Sequence, residues 1–341
     1  MYQGFYNLKE FPFRLSPDPS FMCMTTQHRE ALSGLIYSVC TQPGLTVLVG
    51  EAGTGKTTLL YSLLGLLEKR RFVTALCTNP TLTREEFYDL LLLKFGVECQ
   101  SGLKSRRLYA LQEMLTRNRA DGRPALLIFD EGQRLSMDLL EEIRLLLNME
   151  TPREKLLEII IAGQPELGEV LARPELRQLK QRVSSICKLK ALSIEELHEY
   201  MHHRLTHAGL PRQTLFNEEC IQLIYEYTQG IPRLVNSLCN GALQTGFAMQ
   251  SREITPAILA EAARDLELLP DSTSSAAAGG VAEVSAPVRL AAVPRASTSK
   301  PVPSKLSRAV NGTPESPMPL EGYNTRQKSL GFFSSLMDRW K

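Results

Sequence analysis

The chain has 341 residues, 43% of them hydrophobic and 22% charged, enough for two modest domains and a tail. Its 39 Lys and Arg against 37 Asp and Glu leave a net charge of +2, which argues for no particular polyanionic partner. The seven cysteines (Cys23, Cys40, Cys77, Cys99, Cys187, Cys220, Cys239) are scattered and form no CxxC pair, which argues against a disulfide framework or a zinc site, and no apolar run approaches the roughly 18 residues that span a bilayer.

The opening residues, MYQGFYNLKEFPF, lack the basic-then-apolar order of a signal peptide, so the sequence reads as cytoplasmic, or as attached to a membrane from that side. Phe11 to Pro19 is aromatic and stiffened by prolines, suited either to folding over the base of a nucleotide or to ordinary packing of a terminal arm. The apolar run Leu45 to Val49 then leads into GEAGTGKT, Gly50 to Thr57, a full match to the GxxxxGKT phosphate-binding loop. A buried strand delivers the chain to a glycine-rich turn, and Lys56, Thr57 and Thr58 open a helix whose N–H groups face an anion. Gly50, Gly53 and Gly55 let the backbone wrap closely around phosphate oxygens, and Glu51, Ala52 and Thr54 complete the loop. Lys56 is expected to reach the β- and γ-phosphates of ATP, and the Thr57 hydroxyl to ligate Mg²⁺.

Basic groups Lys69 to Arg71, Lys104 to Arg107 and Arg117 to Arg119 read as a solvated face, or as a surface that touches DNA. The next chemistry comes at Ala125 to Glu131, an apolar strand ending in two carboxylates. Asp130 suits the Mg²⁺ shell, and Glu131 suits the orientation and deprotonation of an attacking water. No guanine-reading NKxD motif is present, which favours ATP over GTP. Arg144 and Asn148, four apart on the predicted helix that follows, would line a subunit interface or serve internal hydrogen bonds.

Strands predicted near 45–49, 72–78, 125–130, 156–163 and 183–189 alternate with helices, the pattern of a parallel sheet covered on both faces. From Ser193 the pattern becomes helical, with segments starting at Ser193, Asn217, Pro232 and Thr255, so a small all-helical lid follows. His198, His202, His203 and His207 fall on the first of these helices, but no carboxylate accompanies them as in HExxH, and a helix surface accounts for them better than a metal site. The expected organisation is an α/β P-loop ATPase core of the AAA+ class over 1–191 with an N-terminal arm, and a helical lid over 192–269. A Ser-, Ala- and Pro-rich disordered linker over 270–325 and an amphipathic segment over 326–341 complete it. In that last segment Leu330, Phe333, Leu336, Met337 and Trp340 recur at helical spacing beside Lys328, Arg339 and Lys341. That combination suits an anionic membrane surface, a groove on a partner, or the protein's own lid.

Several of these motifs together, MYxxFYxLKExPFxLSPDPSF, GEAGTGKTT, DEGQRL, EEIRLLLNMET, IIIAGQPEL and GIPRLVN, resemble the ExeA or general secretion pathway protein A family over residues 1 to about 268. The family usually has Ala where this chain has Gly132. The resemblance implies that Gln164, after the fourth strand, holds the attacking water near the γ-phosphate, and that Arg233 swings from the lid onto the β- or γ-phosphate. It also implies an arginine finger for a neighbouring subunit at Arg182, with Arg177 as rival, and hence ATP-dependent self-association. The implied function is ATP hydrolysis by a motor or switch of a membrane-associated secretion or surface-polysaccharide assembly. Regulators of transposition share the same motifs, so an ATP-dependent DNA-binding adaptor is the alternative.

Overall fold

A computed structural model describes residues 2–99, 102–210 and 215–268. The expected linker and amphipathic C-terminal segment therefore lie outside the described residues. In chain order the elements begin with α1 (Tyr2–Phe5), α2 (Thr26–Thr41), β1 (Leu45–Gly50), α3 (Lys56–Glu68) and β2 (Val73–Cys77). They continue through α4 (Arg84–Lys94), α5 (Lys104–Ala120), β3 (Ala125–Phe129), α6 (Met137–Leu146), β4 (Leu157–Gly163), α7 (Glu166–Leu171), α8 (Arg177–Lys180) and β5 (Val183–Leu189). Four longer helices follow: α9 (Ile194–His207), α10 (Glu218–Thr228), α11 (Pro232–Ala248) and α12 (Pro256–Asp265).

The strands form one parallel sheet in the order β2-β3-β4-β1-β5, with Leu45 opposite Ile159 and Ala125 opposite Leu157. β3 and β4 are buried along their whole length, as their continuous apolar runs require of strands covered on both faces. β5 lies at an edge and alternates, with Cys187 and Leu189 buried and Ser184, Ile186 and Lys188 exposed. One apolar core joins one face of the sheet to α4, α5 and α6, through residues such as Phe87, Leu111, Phe129 and Ile143. The other joins the opposite face to α2 and α3, through Leu35, Ile36, Leu59, Leu63 and Ile160.

The helical region starts where capping residues dictate. Ser193 forms a full capping box with Glu196, as Thr83 does with Glu86 at α4 beside the sheet, and Asn217 and Thr255 cap α10 and α12 through their side chains. Each such cap stabilises its helix by about 1 kcal/mol. The N-terminal arm, first in chain order, does not pack with the sheet that follows it. Tyr2, Tyr6, Leu8, Phe13 and Phe21 are buried with Leu197, Phe216, Leu238 and Leu259 in the core of the helical region. Phe13 meets the Phe216 ring edge-on at 6.0 Å, and the Tyr2 hydroxyl donates to Asn240 Oδ1 at 2.7 Å. The chain thus begins in the helical region, crosses to the sheet and returns. No helix among the described residues is long and apolar enough to cross a membrane.

Candidate active site

The carboxyl ends of β1, β3 and β4 meet the arm and the helical region around a cleft of about 680 Å³. Its lining includes Ala52 to Thr58 of the loop, Glu131, Gln164 and Arg233. It also takes in Arg14 to Asp18 of the arm.

The loop geometry follows from its glycines. Gly53 and Gly55 adopt φ of +83° and +95°, a left-handed region open to residues without a Cβ. A Cβ on Gly53 would also come within 2.7 Å of Arg233 Cβ, because the first turn of α11 packs directly on the loop and the Arg233 N–H donates to Gly53 O at 3.2 Å. Gly50 faces a second constraint, since a Cβ there would lie 2.7 Å from Leu189 O of β5. Thr54 is fully buried and closes the turn by donating its hydroxyl to Glu51 O at 2.9 Å. Glu51 and Ala52 are exposed at the apex, and Thr58 follows in the first turn of α3.

Lys56 is buried, its ammonium donating to Gly50 O at 2.7 Å and Glu51 O at 2.9 Å. Burial pushes its pKa below the ordinary lysine value, while Asp130 and Glu131 pull it back. The Thr57 hydroxyl donates to Asp130 Oδ2 at 2.6 Å, so the last residue of the loop motif and the end of β3 meet directly. A hydroxyl and a carboxylate are hard oxygen donors, the chemistry that suits a small divalent cation such as Mg²⁺.

Glu131 takes φ of +55°, an uncommon conformation for a non-glycine residue and one concentrated at functional sites. Its backbone N–H donates to Asp130 Oδ1 at 3.0 Å, and its carboxylate accepts from Gln133 Nε2 at 2.7 Å. The other end of the Gln133 amide accepts from the Gln164 backbone N–H at 3.1 Å. Gln133 therefore ties the acidic pair to the end of β4. A Cβ on Gly132 between them would fall 2.3 Å from Ile161 Cγ2, so an alanine there needs Ile161 to shift.

Arg182 lies outside the cleft, at the entry to β5, where its guanidinium donates to Asn148 Oδ1 at 2.9 Å on the exposed surface. Arg177, its rival, opens α8. The pairing of Arg144 with Asn148 on one helix face is corrected: α6 ends at Leu146, and Asn148 lies in the turn beyond it. Arg144 instead pairs with Glu141, three residues earlier. The helix stops because Glu150 to Lys155 folds back as a short antiparallel bridge around Thr151 and Pro152.

Five cleft residues had no role assigned in the sequence reading: His28, Arg134, Tyr200, Arg204 and Asn236. Arg204 is buried, donating through Nε to Pro12 O at 2.6 Å and through Nη1 to the Tyr200 hydroxyl at 2.8 Å. Its plane lies over the Phe21 and Tyr200 rings, 5.2 and 5.3 Å from their centroids. This one guanidinium fastens the arm to α9. Of the histidines on α9, His198 faces Glu218 at 3.3 Å, and His207 sits edge-on to Phe21 at 4.2 Å.

A family model described as an AAA domain matches residues 40–171. General secretion pathway protein A of Aeromonas hydrophila is 36% identical over 272 residues, covering 80% of this chain and 49% of that protein. The chain belongs to the ExeA-like AAA+ ATPase family. It spans about half the length of that curated relative. Among solved structures, Drosophila ORC bound to DNA superposes with a TM-score of 0.59 at 16% identity, over 78% of this chain and 66% of that one. Cdc6p from Pyrobaculum aerophilum gives a TM-score of 0.54 at 18% identity, over 77% and 70%. At such identities the likeness is one of fold, and the AAA+ sheet with its helical region is the fold they share.

Proposed function

We propose that this ExeA-like protein binds Mg-ATP in the cleft and hydrolyses it, with residues 1–191 as the ATPase core and 192–269 as a lid. The observation that carries this reading is the meeting of the phosphate loop, the Thr57–Asp130 pair at 2.6 Å and Glu131 in one cleft under α11. Loop N–H groups from Glu51 to Thr58 would cradle the phosphates. The Lys56 ammonium would leave the carbonyls of Gly50 and Glu51 for the β- and γ-phosphates, its partners being oxygen acceptors in both arrangements. Thr57 and Asp130 would hold Mg²⁺, which when bound supplies charge neutralisation at the phosphate oxygens.

In the reaction a water oxygen bonds to the γ-phosphorus while the bond from that phosphorus to the β–γ bridging oxygen breaks. Glu131 takes the proton that the water loses, and ADP leaves with the freed oxygen. Gln133 holds the Glu131 carboxylate in its aim, and Gln164, whose backbone N–H is tied to the same Gln133, would orient the water. Arg233 follows the phosphates from the lid, so that nucleotide state is coupled to the lid's angle. Arg182, exposed and away from its own cleft, would serve the cleft of a neighbouring copy, which makes self-association part of the mechanism.

The role we infer is that of a motor or switch for a membrane-associated assembly, supported by the kinship with general secretion pathway protein A. A DNA-binding role draws less support from the basic groups, because Lys104, Arg107, Arg117 and Arg119 pair with Glu142, Asp89, Glu113 and Glu154. Titrating a fluorescent ATP analogue with Mg²⁺ tests the nucleotide assignment. Wild type binds and Lys56→Ala does not; equal affinity for the two proteins refutes the site.

A further inference from the structure

His28 lies in the first turn of α2, buried at 6% exposure against the phosphate loop. Its Nδ1 is 2.8 Å from Thr25 Oγ1, and its Nε2 is 3.3 Å from Thr54 O. A carbonyl oxygen only accepts, so Nε2 carries the proton. In the neutral ring Nδ1 is then an acceptor, and the Thr25 hydroxyl must donate to it. Burial pushes the imidazole pKa below its ordinary value, which keeps the ring neutral.

Thr25 adds an independent sign that this arrangement is built. It is the N-cap residue of α2, a position where a threonine hydroxyl ordinarily accepts from the first turn of the helix, yet it makes no such bond. The fully buried hydroxyl is directed at His28 instead. A chain of two hydrogen bonds thus runs from the start of α2 to a carbonyl of the phosphate loop.

We propose that His28 is a positioning residue of the phosphate loop, orienting the Thr54–Gly55 peptide so that the Gly55 N–H faces the anion. The peptide unit is planar and trans, so the direction of the Thr54 carbonyl fixes that of the Gly55 N–H opposite it. Gly55 has φ of +95° and no side chain to anchor it, and the imidazole Nε2 lies 3.4 Å from where its Cβ would stand. A hydrogen bond to the carbonyl also polarises the peptide and strengthens its N–H as a donor. Holding that donor in place before nucleotide arrives lowers the ordering cost of binding. This inference rests on the reading of the cleft as an ATP site.

The test is calorimetric titration of Mg-ATP into the full chain, with KM and kcat measured alongside, for wild type, His28→Ala, His28→Asn and His28→Gln. A glutamine amide nitrogen reaches the place of Nε2, whereas the shorter asparagine reaches only that of Nδ1. The Ala and Asn variants should lose about tenfold in affinity, one hydrogen bond's worth, with KM rising more than kcat falls. His28→Gln should recover most of that loss. Melting temperatures without nucleotide separate positioning from packing. Affinities that simply follow the melting temperatures, with Gln and Asn equally impaired, overturn the proposal, as do affinities unchanged in every variant. A wild-type chain that binds no ATP overturns the parent reading instead.

Discussion

Glu158 offers a prediction whose size follows from the structure. It is fully buried near the start of β4, faces no cation, and accepts from Gly44 N at 2.7 Å and Thr46 Oγ1 at 3.3 Å. Burial pushes its pKa from 4.5 up to about 7, against the two hydrogen bonds that pull it down. Between those two values the folded protein holds a proton that the unfolded chain has released. Stability therefore falls as pH rises through that window and levels off above it. The span from 4.5 to about 7, at about 1.4 kcal/mol per pH unit, corresponds to roughly 3 kcal/mol. Glu158→Gln keeps the shape and an acceptor for Gly44 N while removing the titration. Urea unfolding followed by circular dichroism at a series of pH values should show the variant gaining on wild type by about 3 kcal/mol between pH 4.5 and pH 8. A difference that stays constant over that range refutes the reasoning, because groups common to both proteins cancel.

Gly53→Ala combines a left-handed φ with a Cβ 2.7 Å from Arg233 Cβ, so it should push the lid's first turn off the loop. We expect a folded protein with ATP affinity at least about tenfold weaker, and affinity at the wild-type level would contradict the contact. Arg182→Ala should leave ATP binding intact and lower turnover on the order of a thousandfold. Wild-type turnover should rise with protein concentration, and turnover that is independent of concentration and unchanged in the variant would remove the finger.

The legible parts were those written locally. Leu45 to Gly50 and Leu157 to Gly163 are apolar runs of strand length, and the helical region announces itself at Ser193, Asn217 and Thr255, side chains that bond the first turn. All five strands end within one residue of their expected bounds. What the sequence hid depends on distant partners. Phe13 and Phe21 look like a loose aromatic arm until Phe216 and Arg204, almost two hundred residues later, close around them. His28 has the spacing of any helix residue, and only the fold brings Thr54 to its Nε2. Gln133 was part of a quoted motif, but its bridging role needs the left-handed turn at Glu131, which no periodicity encodes. Asn148 was misread because the bridge between Glu150 and Lys155 ends α6 before the apolar pattern does.

The central claim is that Glu131 removes the proton from the attacking water in a cleft that binds ATP independently of that step. It is tested most directly by isolating wild type and Glu131→Gln after incubation with Mg-ATP and identifying the nucleotide that each retains by chromatography. Glutamine preserves the hydrogen bond with Gln133 but has no basic oxygen, so the variant should come away loaded with unhydrolysed ATP while wild type carries ADP. A Glu131→Gln protein that turns over ATP at the wild-type rate and carries ADP would contradict the account.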